Sequence, residues 1–189
     1  MSNQLLPCFC IREIKQEEYP LLEDFIYEAI FIPEGVEPPD KSIIQHPDIQ
    51  VYIEDFGAKQ DDICVVAEVV CAESNEKNNE DEKINYENAL DKNCGVSIIV
   101  GAAWVRIMDD FGHVDEETPS LAVSLCKEYR GLGVGTAMMK ELLSLLKIKG
   151  YKKTSLAVQK ANYALKMYKN LGYEIIDENE QEYIMIKYL

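Results

Sequence analysis

Apolar residues fall along this chain in two periods, and the switches between them mark out its elements. Residues 8–14 alternate loosely, with Phe9 and Ile11 on one side, and predict an opening strand. Across 17–31 the spacing lengthens: Leu21, Leu22, Phe25, Ile26, Ala29 and Ile30 recur at three- and four-residue steps, the stripe of an amphipathic helix. Pro33 and the pair Pro38 and Pro39 stop it and open a loop. A shorter helix is predicted over 47–55, with Asp48 near its start. Residues 62–72, rich in valine, and 95–108, long and β-branched, predict two antiparallel strands. An acidic turn, 109–117, leads into a short apolar run, 120–125, that reads as a buried strand. The helix beyond it carries Val134, Ala137, Met138, Leu142 and Leu145 on one face and stops at Gly150. A strand over 154–158, a helix over 162–171 ended by Gly172, and strands over 173–176 and 183–188 complete the chain.

That order predicts an α/β fold: a mixed central sheet with helices on both faces, in a single domain spanning 1–189. A chain of 189 residues can bury a core without disulfide or metal staples. One segment stands apart. Residues 73–93 are dominated by Asn, Glu, Asp and Lys, too polar to pack against anything. They are expected to form a mobile acidic hairpin insertion remote from any chemistry.

Charge changes this picture by its placement. The chain holds 19 basic and 34 acidic residues, a net charge of −15. Between Lys127 and Lys169, however, ten basic residues face only Glu128 and Glu141, so that segment carries +8. Nucleic acid is a poor partner for so acidic a chain, and no stripe of alternating basic and aromatic residues offers one a track. No apolar run approaches the roughly 18 residues of a membrane span. The start of the chain lacks a basic leader, and the six cysteines show no C-x-x-C pair and no zinc-like histidine spacing. A cytoplasmic protein with reduced thiols, without metal, is the expectation.

The chemistry concentrates where the 120–125 strand meets its helix. Arg130-Gly131-Leu132-Gly133-Val134-Gly135-Thr136 places three alternating glycines at a helix N-terminus, where free backbone N–H groups and the helix dipole favour phosphate. The turn lacks the Lys and Ser or Thr that must follow the last glycine of a nucleotide-binding P-loop, and it misses the G-x-G-x-x-G spacing of a dinucleotide site. With its basic surroundings it suits a small molecule bearing several phosphates. A glycine-rich helix start without a ligand would look the same.

This R-x-x-G-x-G turn resembles that of the GNAT superfamily of N-acetyltransferases, and a second motif downstream strengthens the likeness. Asn162, Ala164, Tyr168, Gly172 and Tyr173 read as N-x-A-x-x-x-Y-x-x-x-G-[FY], the family's other common signature. The resemblance implies a mixed sheet of about seven strands and acetyl-CoA as co-substrate. It also implies diphosphate held by amides from Gly131, Leu132, Gly133, Val134, Gly135 and Thr136, with Arg130 structural or close to phosphate. Val123 and Leu125 would line the pantetheine arm, on a strand that splays from its parallel neighbour, often through a bulge, and the Leu125 N–H would polarise the acetyl carbonyl. Asn162 would bind the pantetheine or phosphate region, or act as a helix cap. Tyr168 would be the general acid. A phenol, ordinarily near pKa 10, can donate to a departing thiolate whose thiol lies near about 8.5; on helical spacing alone Tyr168 would be a packing residue.

The attacking amine must also lose a proton. Asp115, Glu116 and Glu117 precede the splayed strand, with Glu117 the preferred candidate and His113 nearby. The 31–41 loop mixes Phe31, Ile32, Pro33 and Pro38 with Glu34, Glu37 and Asp40, walls that suit a cationic amine. The reaction expected is direct acetyl transfer to a primary amine of an unidentified acceptor, a small molecule or a peptide. Protein or peptide N-acetylation and a non-catalytic acyl-CoA sensor are the alternatives, and a homodimer is compatible with the likeness.

Overall fold

The computed structural model describes residues 9–33, 35–70 and 97–189. Seven strands among them form one sheet: β1 (Phe9–Glu13), β2 (Ile63–Val70), β3 (Ser97–Arg106), β4 (Ser120–Leu125), β5 (Lys153–Gln159), β6 (Glu174–Glu178) and β7 (Glu182–Tyr188). Their order across the sheet is β1-β2-β3-β4-β5-β7-β6, and every neighbouring pair is antiparallel except β4 with β5. The helices are α1 (Leu22–Ala29), α2 (Pro47–Gln50), α3 (Val134–Ile148) and α4 (Leu165–Asn170). The insertion expected over 73–93 lies outside the described residues.

Strand alternation divides the core into two layers. On one face Val65, Ala103, Val105, Leu121, Leu156 and Val158 pack with Val134, Met138, Met139, Leu142 and Leu146 of α3. On the other, Cys64, Val66, Ala102, Trp104 and Ala122 meet Leu22, Phe25 and Ile26 of α1. The buried stripe of α3 adds Met139, Leu143 and Leu146 to the residues foreseen, while Ala137 and Leu145 are only partly buried. Gly150 adopts φ +91 directly after the helix, as its stop role requires.

Three helices are shorter than the periodicity predicts, each for a local reason. Residues 16–21 wind as a tight 3-10 segment containing Pro20, so regular α-helix begins only at Leu22. Here Glu18 accepts from the Lys15 N–H at 2.8 Å while its carboxylate pairs with Arg12 at 2.7 Å. The helix predicted over 47–55 ends at Gln50 and continues as turns. Its next carbonyls are taken by side chains of β3: Trp104 Nε1 donates to Tyr52 O at 3.1 Å, and Arg106 Nη1 to Val51 O at 3.0 Å and Glu54 O at 2.8 Å. Arg106 is itself 3% exposed and paired with Asp62 at 2.8 Å. In the last case α4 starts at Leu165 because the Asn162 side chain turns back to accept from the Ala164 N–H at 2.9 Å.

Candidate active site

β4 and β5 are joined at a single point. Their parallel register holds only Ser120 opposite Ser155, beyond which the two strands separate toward their C-terminal ends. The fork needs no bulge in β4, which stays in continuous register with β3 from Ser120 to Leu125; the sheet's register shifts lie in the β2–β3 and β6–β7 pairs instead. The Cys126 N–H donates to Val100 O at 2.9 Å. Antiparallel alternation then turns the N–H and C=O of Leu125 and Val123 away from β3 and into the fork. A cleft of about 940 Å³ occupies this opening and reaches both faces of the sheet.

Most residues singled out from the sequence meet here. Val123, Leu125, Arg130, Gly131, Gly133, Gly135, Thr136, Asn162 and Tyr168 all line the cleft. Leu132 and Val134 do not: their side chains pack into the α3 core, Val134 with no exposure at all, which leaves them only main-chain groups to offer. Gly131 and Gly133 take φ +75 and +85, the left-handed region that glycine enters at no steric cost, and a Cβ on either would meet nothing within 4 Å. Gly133 is the N-cap of α3 and no side chain caps this end. The first intrahelical bond runs from the Ala137 N–H to Gly133 O, so the amides of Val134, Gly135 and Thr136 have no helical acceptor. Arg130 is committed to the fork: its Nε donates to Leu125 O at 2.8 Å and Nη2 lies 4.0 Å from Glu28.

Tyr168 projects from α4, 7% exposed, with its ring 5.9 Å from that of Tyr173 in an edge-on contact. Burial pushes its phenol above the ordinary value, with Tyr163 adding to the shift, so the hydroxyl holds its proton. Beside the cleft, burial first and then Glu128 and Glu28 push the Cys126 thiol up to about 11, which keeps it from serving as a thiolate nucleophile.

The carboxylates ahead of β4 are placed elsewhere. Asp115, Glu116, Glu117 and His113 are not among the residues lining the cleft. They sit at the N-terminal end of β4, whereas the fork opens toward its C-terminal end. Asp115 is a structural group: a hydrogen bond from Lys153, a second from Thr118 Oγ1 at 2.6 Å and the Glu117 N–H hold its carboxyl down at about 2. The carboxylates that do line the cleft are Glu28 of α1 and Glu182 of β7. Glu182 becomes visible only through the register, which sets it opposite Gln159 on β5.

A third acidic group stands behind the wall. Tyr52 lines the cleft and donates to Asp110 Oδ2 at 2.8 Å; Ser120 Oγ donates to the same oxygen at 2.7 Å. Of the apolar residues in the 31–41 loop, Phe31, Ile32 and Pro38 line the cleft, and Tyr27 ties that loop down by donating to Pro39 O at 2.7 Å. Among the described residues no group of His, Cys, Asp and Glu is arranged to hold a metal ion, and no helix is long and apolar enough to cross a membrane.

A family model described as acetyltransferase (GNAT) family matches residues 47–173. Solved structures share the fold. The PaiA N-acetyltransferase of Thermoplasma acidophilum, in complex with coenzyme A, superposes with a TM-score of 0.60 at 16% identity over 96% of this chain and 99% of that one. A GNAT-family acetyltransferase from Streptococcus pneumoniae gives 0.58 at 14% identity, covering 96% and 100%. The ribosomal-protein-S18-alanine N-acetyltransferase of Escherichia coli gives 0.54 at 13%, covering 96% and 94%. No curated protein matches the chain in sequence.

Proposed function

Because the chain belongs to the GNAT family of acetyltransferases, we propose that it moves the acetyl group of acetyl-CoA directly onto a primary amine. The observation that carries this reading is the convergence of an uncapped glycine turn, a forked strand pair and a buried phenol on one cleft. The residues present suit the coenzyme. Free amides of the first α3 turn, with open space at Gly131 and Gly133, accommodate a diphosphate, and the fork offers strand-like partners to an amide-bearing arm. Asn162, turned onto its own helix start, retains its amide nitrogen for that arm.

Each group then has a task. The Leu125 N–H, aimed into the fork, donates to the acyl oxygen as negative charge develops on it. Arg130 fixes that geometry by occupying the Leu125 carbonyl. A neutral amine nitrogen forms the new C–N bond while the C–S bond breaks, Tyr168 donates its proton to the departing sulfur, and the proton that the nitrogen sheds on becoming an amide passes through water in the cleft to restore the phenol. The Tyr168 phenol is raised by desolvation, so it remains a protonated donor until the sulfur departs. No covalent enzyme intermediate is needed.

Isothermal titration with acetyl-CoA, followed by a thiol-release screen over small amines and over peptides with free amino groups, tests the proposal. Binding with turnover on an amine supports it, and the productive class separates small-molecule from peptide acetylation. Binding without turnover on any amine makes the protein an acyl-CoA sensor. Failure to bind removes the reading altogether.

A further inference from the structure

Four charged residues line the cleft: Lys127 and Arg130 beside the glycine turn, Glu28 of α1 and Glu182 of β7. They are not evenly matched. Strand alternation assigns the faces: Tyr183 packs into the α3 core, so its neighbour Glu182, with Gln159 opposite, projects toward α1 and α2. Glu28 is partly answered by Arg130 at 4.0 Å, whereas no ion pair reaches Glu182 among the described residues. Asp110 adds a further negative charge to this face. Its Oδ2 accepts hydrogen bonds from two hydroxyls, while Oδ1 is buried with no partner. Ser124, which lines the cleft at 3% exposure, also has a buried hydroxyl without a partner. A buried oxygen left unpaired is costly, and a ligand donor that reaches the Ser124 hydroxyl from the cleft relieves that cost, whereas Asp110, behind the wall, acts on a ligand only through its charge.

Building on the acetyltransferase reading, we infer that the α1 face of the cleft binds a small aliphatic diamine, an acceptor that carries a second positive charge beyond the reacting nitrogen. The reason lies in the reaction itself. The attacking nitrogen must be neutral, so it cannot answer the field of Glu182, Glu28 and Asp110. A second amine, whose ordinary pKa is near about 10.4, stays protonated and can. The aromatic residues Phe31, Tyr52 and Phe111 that line the cleft would offer π surface to a cation and shield its alkyl chain from water. Electrostatics agree: burial first, then the charge of Asp110 and of Glu182, push the Tyr52 phenol up, which marks the field at that point as negative.

The test is calorimetric titration, near neutral pH and with coenzyme A bound, of three probes of equal length: cadaverine, n-pentylamine and aminopentanoate. Cadaverine is expected to bind at least tenfold tighter than pentylamine, and aminopentanoate more weakly than either. In Glu182→Gln the advantage of the diamine shrinks at least fivefold while acetyl-CoA affinity holds within twofold; Glu28→Gln, whose carboxylate is already partly answered by Arg130, shrinks it less. Raising salt narrows the gap as well. Equal affinity for diamine and monoamine overturns the inference, as does an advantage unchanged in Glu182→Gln folded by circular dichroism, or binding of a lysine-bearing peptide but not of cadaverine. Loss of coenzyme binding in the wild-type protein would instead sink the acetyltransferase reading, so the two failures are distinct.

Discussion

Gly133 offers the sharpest perturbation, because its strain and its proposed duty can be separated. At φ +85 it holds a conformation that costs an L-residue about 1–2 kcal/mol, and a Cβ there meets nothing within 4 Å. Gly133→Ala is therefore a change in backbone strain with no steric clash inside the protein. Gly150 supplies the control: φ +91, nothing within 4 Å, and a position past the far end of α3, away from the cleft. Both alanine variants should lose about 1–2 kcal/mol in urea denaturation of the free protein, or about 2–8 °C in melting temperature for a chain of this size. Only Gly133→Ala should also weaken acetyl-CoA. A backbone that escapes strain by leaving the left-handed region swings the N–H groups ahead of α3 off the diphosphate, so the expected loss is tenfold or more in Kd, about 1.4 kcal/mol. Gly135→Ala completes the series. Its φ is ordinary, its Cβ would make unforced contacts at 3.7 Å to Met167 Sδ and 3.9 Å to a Leu125 methyl, and alanine is the better helix former by roughly 0.8–1 kcal/mol. That variant should be at least as stable as the parent and bind acetyl-CoA within threefold. Calorimetry and thermal melts on the three proteins decide the matter. If Gly133→Ala and Gly150→Ala bind acetyl-CoA equally well, the turn is a structural stop and the phosphate reading fails.

Tyr168→Phe should lower turnover about 10²–10⁴-fold while acetyl-CoA affinity stays nearly constant; a parallel fall in both would make Tyr168 a packing residue. Since burial raises its phenol above the ordinary value near about 10, the wild-type rate should show no alkaline decline due to this group below that pH. Arg106→Met should destabilise the protein by about 3 kcal/mol, because the fully buried Asp62 would keep only its backbone donors, the N–H groups of Gly57 and Lys59. Equilibrium denaturation measures this, and a loss under 1 kcal/mol would mean that the Arg106 clamp on Val51 and Glu54 is dispensable. Asp115 is depressed to about 2, so its contribution is present above its unfolded value and fades as pH falls through the folded one. Asp115→Asn should therefore flatten the melting temperature between about pH 4 and pH 2, and an unchanged slope there would assign the acid sensitivity elsewhere.

Local chemistry was readable from the residues alone. The strand 120–125, the glycine turn, the long helix behind it and the stop at Gly150 each rest on short-range rules, namely side-chain period, φ preference and free amides at a helix start. All stand where those rules put them. The pairing of the glycine turn with Tyr168 was legible too, because both motifs carry fixed internal spacings. What failed was whatever depends on distant partners. Residues 51–55 have a helical pattern, yet Trp104 and Arg106 reach across from another strand and take the carbonyls that a helix would use. Glu117 lies close to β4 in sequence, but a strand has two ends, and only the three-dimensional fork shows which end opens. Glu182 and Asp110 had no sequence signal, being two more acids in an acidic chain. Register and a loop's packing set them on one face of the cleft. Sequence thus determined the proposed coenzyme half of the site, where backbone geometry would do the binding, and tertiary structure alone decided the proposed acceptor half, where charges from separate strands act on one another through space.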